Sequence, residues 1–328
     1  MREKITYLLF ALCLGGLTFS TTACSSNDDN TITLEEQPFE SVSGKYTVHN
    51  TTSGYEAIEL TSSGSYIITT NVSRPYSAYT RQNGRHRKSP RWVKHPIQTR
   101  YSVDGKFVYG TFTKVSENTY NLEGFGLLTI EWDNGVAKSF DLVTESGKEL
   151  SLSVTKEEGY EGSEATNHLC RTWKTIAVEQ KTYVNGELVI HIKYTVGRDH
   201  FDKFYYRYYE DDGYTDIEME DVKEAAIQEY IEEGPATVTF SKAGTYIVTY
   251  NDNTMACSSW KWKDEERLQA YYDWEADYED EVNEYYVTFS FSGKQMKVKE
   301  IYEEVDDTWE DETTTFKSES VTTLESLY

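Results

Sequence analysis

Apolar and polar positions alternate along most of the chain. Val287, Phe289 and Phe291 alternate with Thr288 and Ser290; beyond Ser292-Gly293, Met296 and Val298 alternate with Lys297 and Lys299. A period of two sends successive side chains to opposite faces of a strand, so these runs predict a hairpin with one apolar and one wetted face. Two further hairpins are marked by their turns. Tyr101-Ser102-Val103 meets Asp104-Gly105 before Lys106 to Gly110, and Leu127 to Trp132 meets Asp133-Asn134-Gly135 before Val136 to Val143. One stretch changes period: Val222, Ala226 and Tyr230 fall at i, i+4 and i+8, with Ala225 and Ile227 beside them. This predicts a surface helix from Glu218 to Glu232, ended by Gly234-Pro235. The expected fold class is all-β with one substantial helix.

The chain also echoes itself. Gly64-Ser65-Tyr66-Ile67-Ile68-Thr69-Thr70-Asn71 returns 180 residues later as Gly244-Thr245-Tyr246-Ile247-Val248-Thr249-Tyr250-Asn251. The offset is too long for a solenoid repeat and points to two related domains. A short aromatic-centred strand precedes each copy: Gly44-Lys45-Tyr46-Thr47-Val48 in the first, Cys170 to Thr175 around Trp173 in the second. The polar, glycine-bearing stretch Glu157 to Glu164 lies between them. The expected layout is a first β-domain over 40–158, a linker over 159–167, and a second β-domain over 168–328 with an acidic helical insertion at 197–235.

The first residues read as an address. Arg2 and Lys4 precede an apolar stretch from Ile5 to Phe19, too short for a spanning helix, so residues 1–23 are expected to be a signal peptide. Thr21-Thr22-Ala23-Cys24 resembles the cleavage site of bacterial lipoproteins, which implies that Cys24 becomes the lipid-bearing N-terminus, with residues 24–39 as a flexible tether. Asp28 and Asp29 resemble the export signal by which Bacteroidetes lipoproteins reach the outer face of the outer membrane. The resemblance implies a surface-exposed, lipid-anchored location.

Charge narrows the partners. The chain has 328 residues with 32 Lys plus Arg against 56 Asp plus Glu, a formal net charge of −24, which argues against nucleic acid as a general partner. Aromatic residues make up 14%, too many for a disordered acidic chain. Against the acidic background, Arg74, Arg81, Arg85, Arg87, Lys88, Arg91, Lys94 and Arg100 form a basic run without an acid. It is either a solvated connection or a contact element for an anionic surface.

Taken together, the aromatic first strand, the Gly-Ser/Thr-Tyr-Ile strand, Ser258-Ser259-Trp260-Lys261-Trp262 and the paired amphipathic strands resemble the lipocalin-like domains of exported Bacteroidetes lipoproteins. The resemblance implies two antiparallel β-barrel or cupped-sheet domains and a non-enzymatic protein that binds a small apolar ligand or a glycan, without a cofactor. Strand parity nominates Trp173, Tyr246, Val248, Trp260, Trp262, Phe289 and Phe291, which line a pocket in a hollow barrel and are plain core in a filled one. A cell-envelope module making protein contacts and a polysaccharide hydrolase are the alternatives.

The chemistry is otherwise sparse. His49, His86, His95, His168, His191 and His200 lack metal-ligand spacing, and the sequence has no GxSxG elbow and no phosphate-binding loop. Gly124-Phe125-Gly126 is expected to mark a bulge. Asp211-Asp212 and Asp306-Asp307 lack the spaced oxygens and central glycine of a calcium loop. With Cys13 in the leader and Cys24 acylated, Cys170 and Cys257 remain, either as a disulfide or as two buried thiols.

Overall fold

A computed structural model describes residues 36–49, 52–71, 100–101, 107–160, 162–207, 219–251, 255–273, 286–306 and 314–328. The signal peptide, Cys24, the stretch 72–99 that carries the basic run up to Arg100, and Asp211-Asp212 lie outside the described residues. Most of the rest is antiparallel strand, arranged as two closed eight-stranded barrels.

The first barrel contains β1 (Gly44–Val48), β2 (Tyr55–Leu60), β3 (Ser65–Thr70), β5 (Phe107–Lys114), β6 (Thr119–Leu122), β7 (Gly126–Asp133), β8 (Val136–Thr144) and β9 (Glu149–Lys156). β3 pairs with β5 and β9 pairs back with β1, which closes the ring; the two-residue β4 (Arg100–Tyr101) adds to β5. Left-handed Asn134 and Gly135 make the tight β7–β8 turn that the sequence predicts. Gly124-Phe125-Gly126 forms the β6–β7 turn and the first residue of β7, so it is not a bulge in a continuous strand.

The interior of this barrel is apolar and filled. Tyr46, Ile58, Tyr66, Ile68, Leu122, Phe140, Leu142 and Leu152 have no solvent exposure. A Cβ on Gly110 would lie 2.8 Å from the Tyr66 ring, so the absent side chain makes room for that ring across the interior. Ordered contacts begin earlier than the predicted tether end. Ser62 donates to Gln37, and the Phe39 ring packs 4.5 Å from Phe112, so the last residues of 24–39 belong to the barrel.

The second barrel contains β10 (Thr172–Val184), β13 (Pro235–Phe240), β14 (Thr245–Tyr250), β15 (Met255–Asp264), β16 (Gln269–Asp273), β17 (Val287–Ser292), β18 (Gln295–Asp306) and β19 (Thr314–Ser326). β10 pairs with β19 along its whole length, while its other edge is shared between β13 and the inserted β11 (Glu187–Thr195). The insertion therefore starts at the left-handed Asn185-Gly186 turn, earlier than residue 197, and continues through β12 (Lys203–Tyr206). Helix α1 (Glu164–Leu169) occupies the end of the predicted linker, started by the Ser163 hydroxyl accepting from the Thr166 amide.

The predicted surface helix is present as α2 (Met219–Ala226), continued as a π-helix over Ile227–Glu232. Ala226 and Tyr230 are buried against Val178, Ile190, Ile192 and Tyr194. The i, i+4 spacing thus marks the face that docks on β10 and β11. A Cβ on Gly234 would lie 2.1 Å from the Tyr230 carbonyl oxygen, which accounts for the glycine at the helix exit.

The internal echo has a structural counterpart. The Asn71 amide donates to Gly54 and the Asn251 amide to Gly234, while Phe112 donates to Gly64 and Trp260 to Gly244. These bonds match β3 with β14 and β5 with β15.

Candidate functional site

The nominated aromatic residues form the floor of the second barrel. Trp173 is fully buried, and Tyr246, Val248, Trp260 and Phe289 are buried beside it. Phe240 lies at their centre, with ring centroids 4.9 Å from Tyr246, 5.8 Å from Trp260 and 5.6 Å from Phe289. Trp262 sits lower and donates its indole N–H to the Thr166 hydroxyl at 3.0 Å, tying β15 to α1. Thr166 in turn donates to Glu265 at 2.8 Å, and Ser163 also donates to Glu265. Phe291 stacks on His168 of α1 with centroids 5.4 Å apart. Trp173, Trp260, Trp262, Phe289 and Phe291 are therefore mutually packed core that seals one end, and they are not walls of an open pocket.

No disulfide joins Cys170 to Cys257. Cys170 is the C-cap of α1, at the floor. Cys257 lies mid-strand opposite Ile247, on the face of β15 away from Trp260. β13 and β14 lie between β10, which follows Cys170, and β15, which carries Cys257, so the two sulfurs are held on different elements.

Above the floor the interior changes character. The longer strands β10, β18 and β19 add a storey whose inward positions follow from register: Trp173, Thr175, Val178, Gln180 and Thr182 on β10; Met296, Val298, Glu300 and Tyr302 on β18; Ser318, Ser320, Thr322 and Leu324 on β19. Glu300 stands opposite Ser320, and Ser320 opposite Gln180.

The first barrel supplies the control. Tyr46 pairs with Lys156 as Trp173 pairs with Ser326, which fixes the correspondence of the two barrels. On that alignment Val48 corresponds to Thr175, Leu142 to Glu300, Leu150 to Ser320 and Leu152 to Thr322. Four aliphatic positions in one barrel are three hydroxyls and a carboxyl in the other. Leu142 and Leu152 are completely buried where Glu300 and Thr322 keep partial exposure, while Leu150 and Ser320 are both partly exposed and Thr175 is as enclosed as Val48.

The electrostatics follow from this placement. Glu300 is still reached by water-sized space yet is densely surrounded, and burial pushes its carboxyl up to about 7. Burial raises the Tyr246 phenol well above its ordinary value, and the nearby Glu300 and Tyr250 raise it further. The Thr175 and Thr182 hydroxyls are buried without a hydrogen-bond partner. Gln180 accepts the phenolic O–H of Tyr230 at 2.7 Å, so the inserted helix covers the Val178 and Gln180 positions of this face.

The sequence contains a signal for this storey. The alternation Met296, Val298 continues through Glu300 and Tyr302, so parity alone puts the carboxyl on the apolar face. A concavity of about 550 Å³ on the outer face of the same barrel is lined by residues that include Tyr183, Glu303, Thr315 and Lys317. Its ammonium is already engaged by Glu303 at 3.2 Å and Glu319 at 3.1 Å.

The chain matches no known protein family, no curated protein and no solved structure.

Proposed function

We propose that this is an exported, lipid-anchored binding protein of the outer membrane surface, attached through Cys24, whose second lipocalin-like barrel holds a small molecule and whose first is a filled scaffold. The observation that supports it is the exchange of Val48, Leu142, Leu150 and Leu152 for Thr175, Glu300, Ser320 and Thr322 at equivalent inward positions. Apolar filling is the stable solution for a barrel interior, and each unpaired buried hydroxyl costs about 1–3 kcal/mol. Polar groups retained in that setting fit a ligand that satisfies them.

The ligand carries a polar head, since Glu300, Ser320 and Thr322 are the partly exposed polar groups at these inward positions. Of the two ligand classes expected from the sequence, a small apolar molecule or a glycan, this modifies the first by adding a polar head. Among the described inward side chains of this barrel Glu300 is the one carboxylate, and a glycoside hydrolase of the usual kind needs two. Binding without catalysis is therefore the better reading.

Native mass spectrometry of the mature protein purified from its own membranes tests this. A co-purifying small molecule, released on denaturation, is the expected result. Protein of bare mass that also gains no small molecule from a lipid and glycan extract would overturn the proposal.

A further inference from the structure

The surroundings of Glu300 constrain the chemistry of a ligand. Glu300 projects from β18 at the level of Ser320 on β19 and Gln180 on β10, and none of the described residues hydrogen-bonds its carboxyl. The described inward positions of β10, β18 and β19 contain no Lys, Arg or His. The ionisable groups facing it are phenols: Tyr246 and Tyr250 on β14 and Tyr302 on β18, with Tyr230 of the helix held on Gln180. A carboxylate in such surroundings is stable only when it takes up a proton or meets a cation.

We infer that the ligand of the second barrel is a small amine, its ammonium group paired with Glu300 beside the Tyr246 and Tyr302 side chains. The inference rests on the proposal that this barrel is a binding site. Tyrosine rings attract cations through their negative faces, and the electron-rich surroundings exclude anions. The hydroxyls of Ser320 and Thr322, which keep partial exposure at the level of Glu300 and Val298, accept N–H donors from a polar head. The net charge of −24 raises the local concentration of cations. A neutral polyol satisfies the hydroxyls but leaves the carboxyl without a counter-charge.

Two probes of matched shape separate the possibilities: 2-phenylethylamine, which carries the ammonium, and 2-phenylethanol, which does not. Calorimetric titration of the full mature chain is expected to show the amine binding at least about tenfold more tightly than the alcohol at pH 8. The amine competes with the proton on Glu300, so its affinity falls about tenfold between pH 8 and pH 6, while that of the alcohol stays level. Glu300→Gln, with Glu300→Leu as a second variant that copies Leu142 of the first barrel, removes both the preference and the pH dependence; a melting curve verifies that each is folded.

Equal binding of amine and alcohol, unchanged by either variant, would overturn the amine while leaving the barrel a binding site. Failure of both probes to bind, together with a bare native mass, would overturn the site itself.

Discussion

Trp173 donates its indole N–H to the carbonyl of Leu169 at 3.0 Å, four residues back along the chain. Tyr46 does the same with its phenol, donating to the Val42 carbonyl at 2.9 Å. In each barrel the aromatic residue of the first strand thus fastens a short helical turn over the floor: Glu40–Val42 in the first barrel, α1 in the second. The two residues differ in kind but hold the same place in the register.

Removing either bond leaves a carbonyl without its partner. Trp173→Phe deletes the donor and creates a void in a fully buried site, so it is expected to destabilise the second barrel by about 2–4 kcal/mol. Tyr46→Phe loses only the hydroxyl and costs about 1–2 kcal/mol. Denaturant unfolding measures both.

The stability of the second barrel should depend on pH through Glu300. Its carboxyl is raised from an ordinary 4.5 to about 7 in the folded state, so the folded chain holds the proton more tightly than the unfolded one. Stability is greatest below the unfolded value and falls as pH rises through 7, by a total of about 3 kcal/mol. Glu300→Gln should remove that decline and unfold at a higher temperature than the native chain at pH 8. Thermal melts between pH 5 and pH 8 give the comparison.

The inserted helix is tied to the wall through Tyr230 and Gln180. Tyr230→Phe keeps the packing against Ile192 and Tyr194 but removes the hydrogen bond, at a cost of about 1 kcal/mol. Amide exchange should accelerate over 219–232 and remain unchanged in the first barrel.

Cys170 and Cys257 are expected to be alkylated as thiols without prior reduction. Cys257, which keeps partial exposure, should react before the buried Cys170. Peptide mapping after timed alkylation reads the order; a peptide containing both residues joined by a disulfide would contradict the structure.

Much of the architecture is legible in the sequence because it rests on local chemistry. Asn134-Gly135 adopts the left-handed pair that tight hairpins require, and Val222, Ala226 and Tyr230 mark a helix by spacing. The Gly64 and Gly244 echo marks equivalent strands. What escapes local inspection is register between distant strands. Nothing beside Thr175 or Ser320 in the chain reveals that they share a wall with Glu300, because β10 and β19 meet only on closure. The nominated residues are, Val248 apart, the large aromatic ones, which pack the floor, whereas the inward positions above it carry small hydroxyls whose sequence signal is weak. Glu300 is the exception: its place on the apolar side of an alternating strand is visible once the alternation is followed past Val298.

The central claim is that the added storey of the second barrel is kept open for a ligand. The triple substitution Glu300→Leu, Ser320→Leu and Thr322→Leu refills it with the side chains found at the equivalent positions of the first barrel. Native mass spectrometry of this variant beside the native chain, both purified from host cells, is the decisive measurement. A co-purifying small molecule is expected on the native chain and none on the folded variant; the same bound mass on both would contradict a ligand held at these positions.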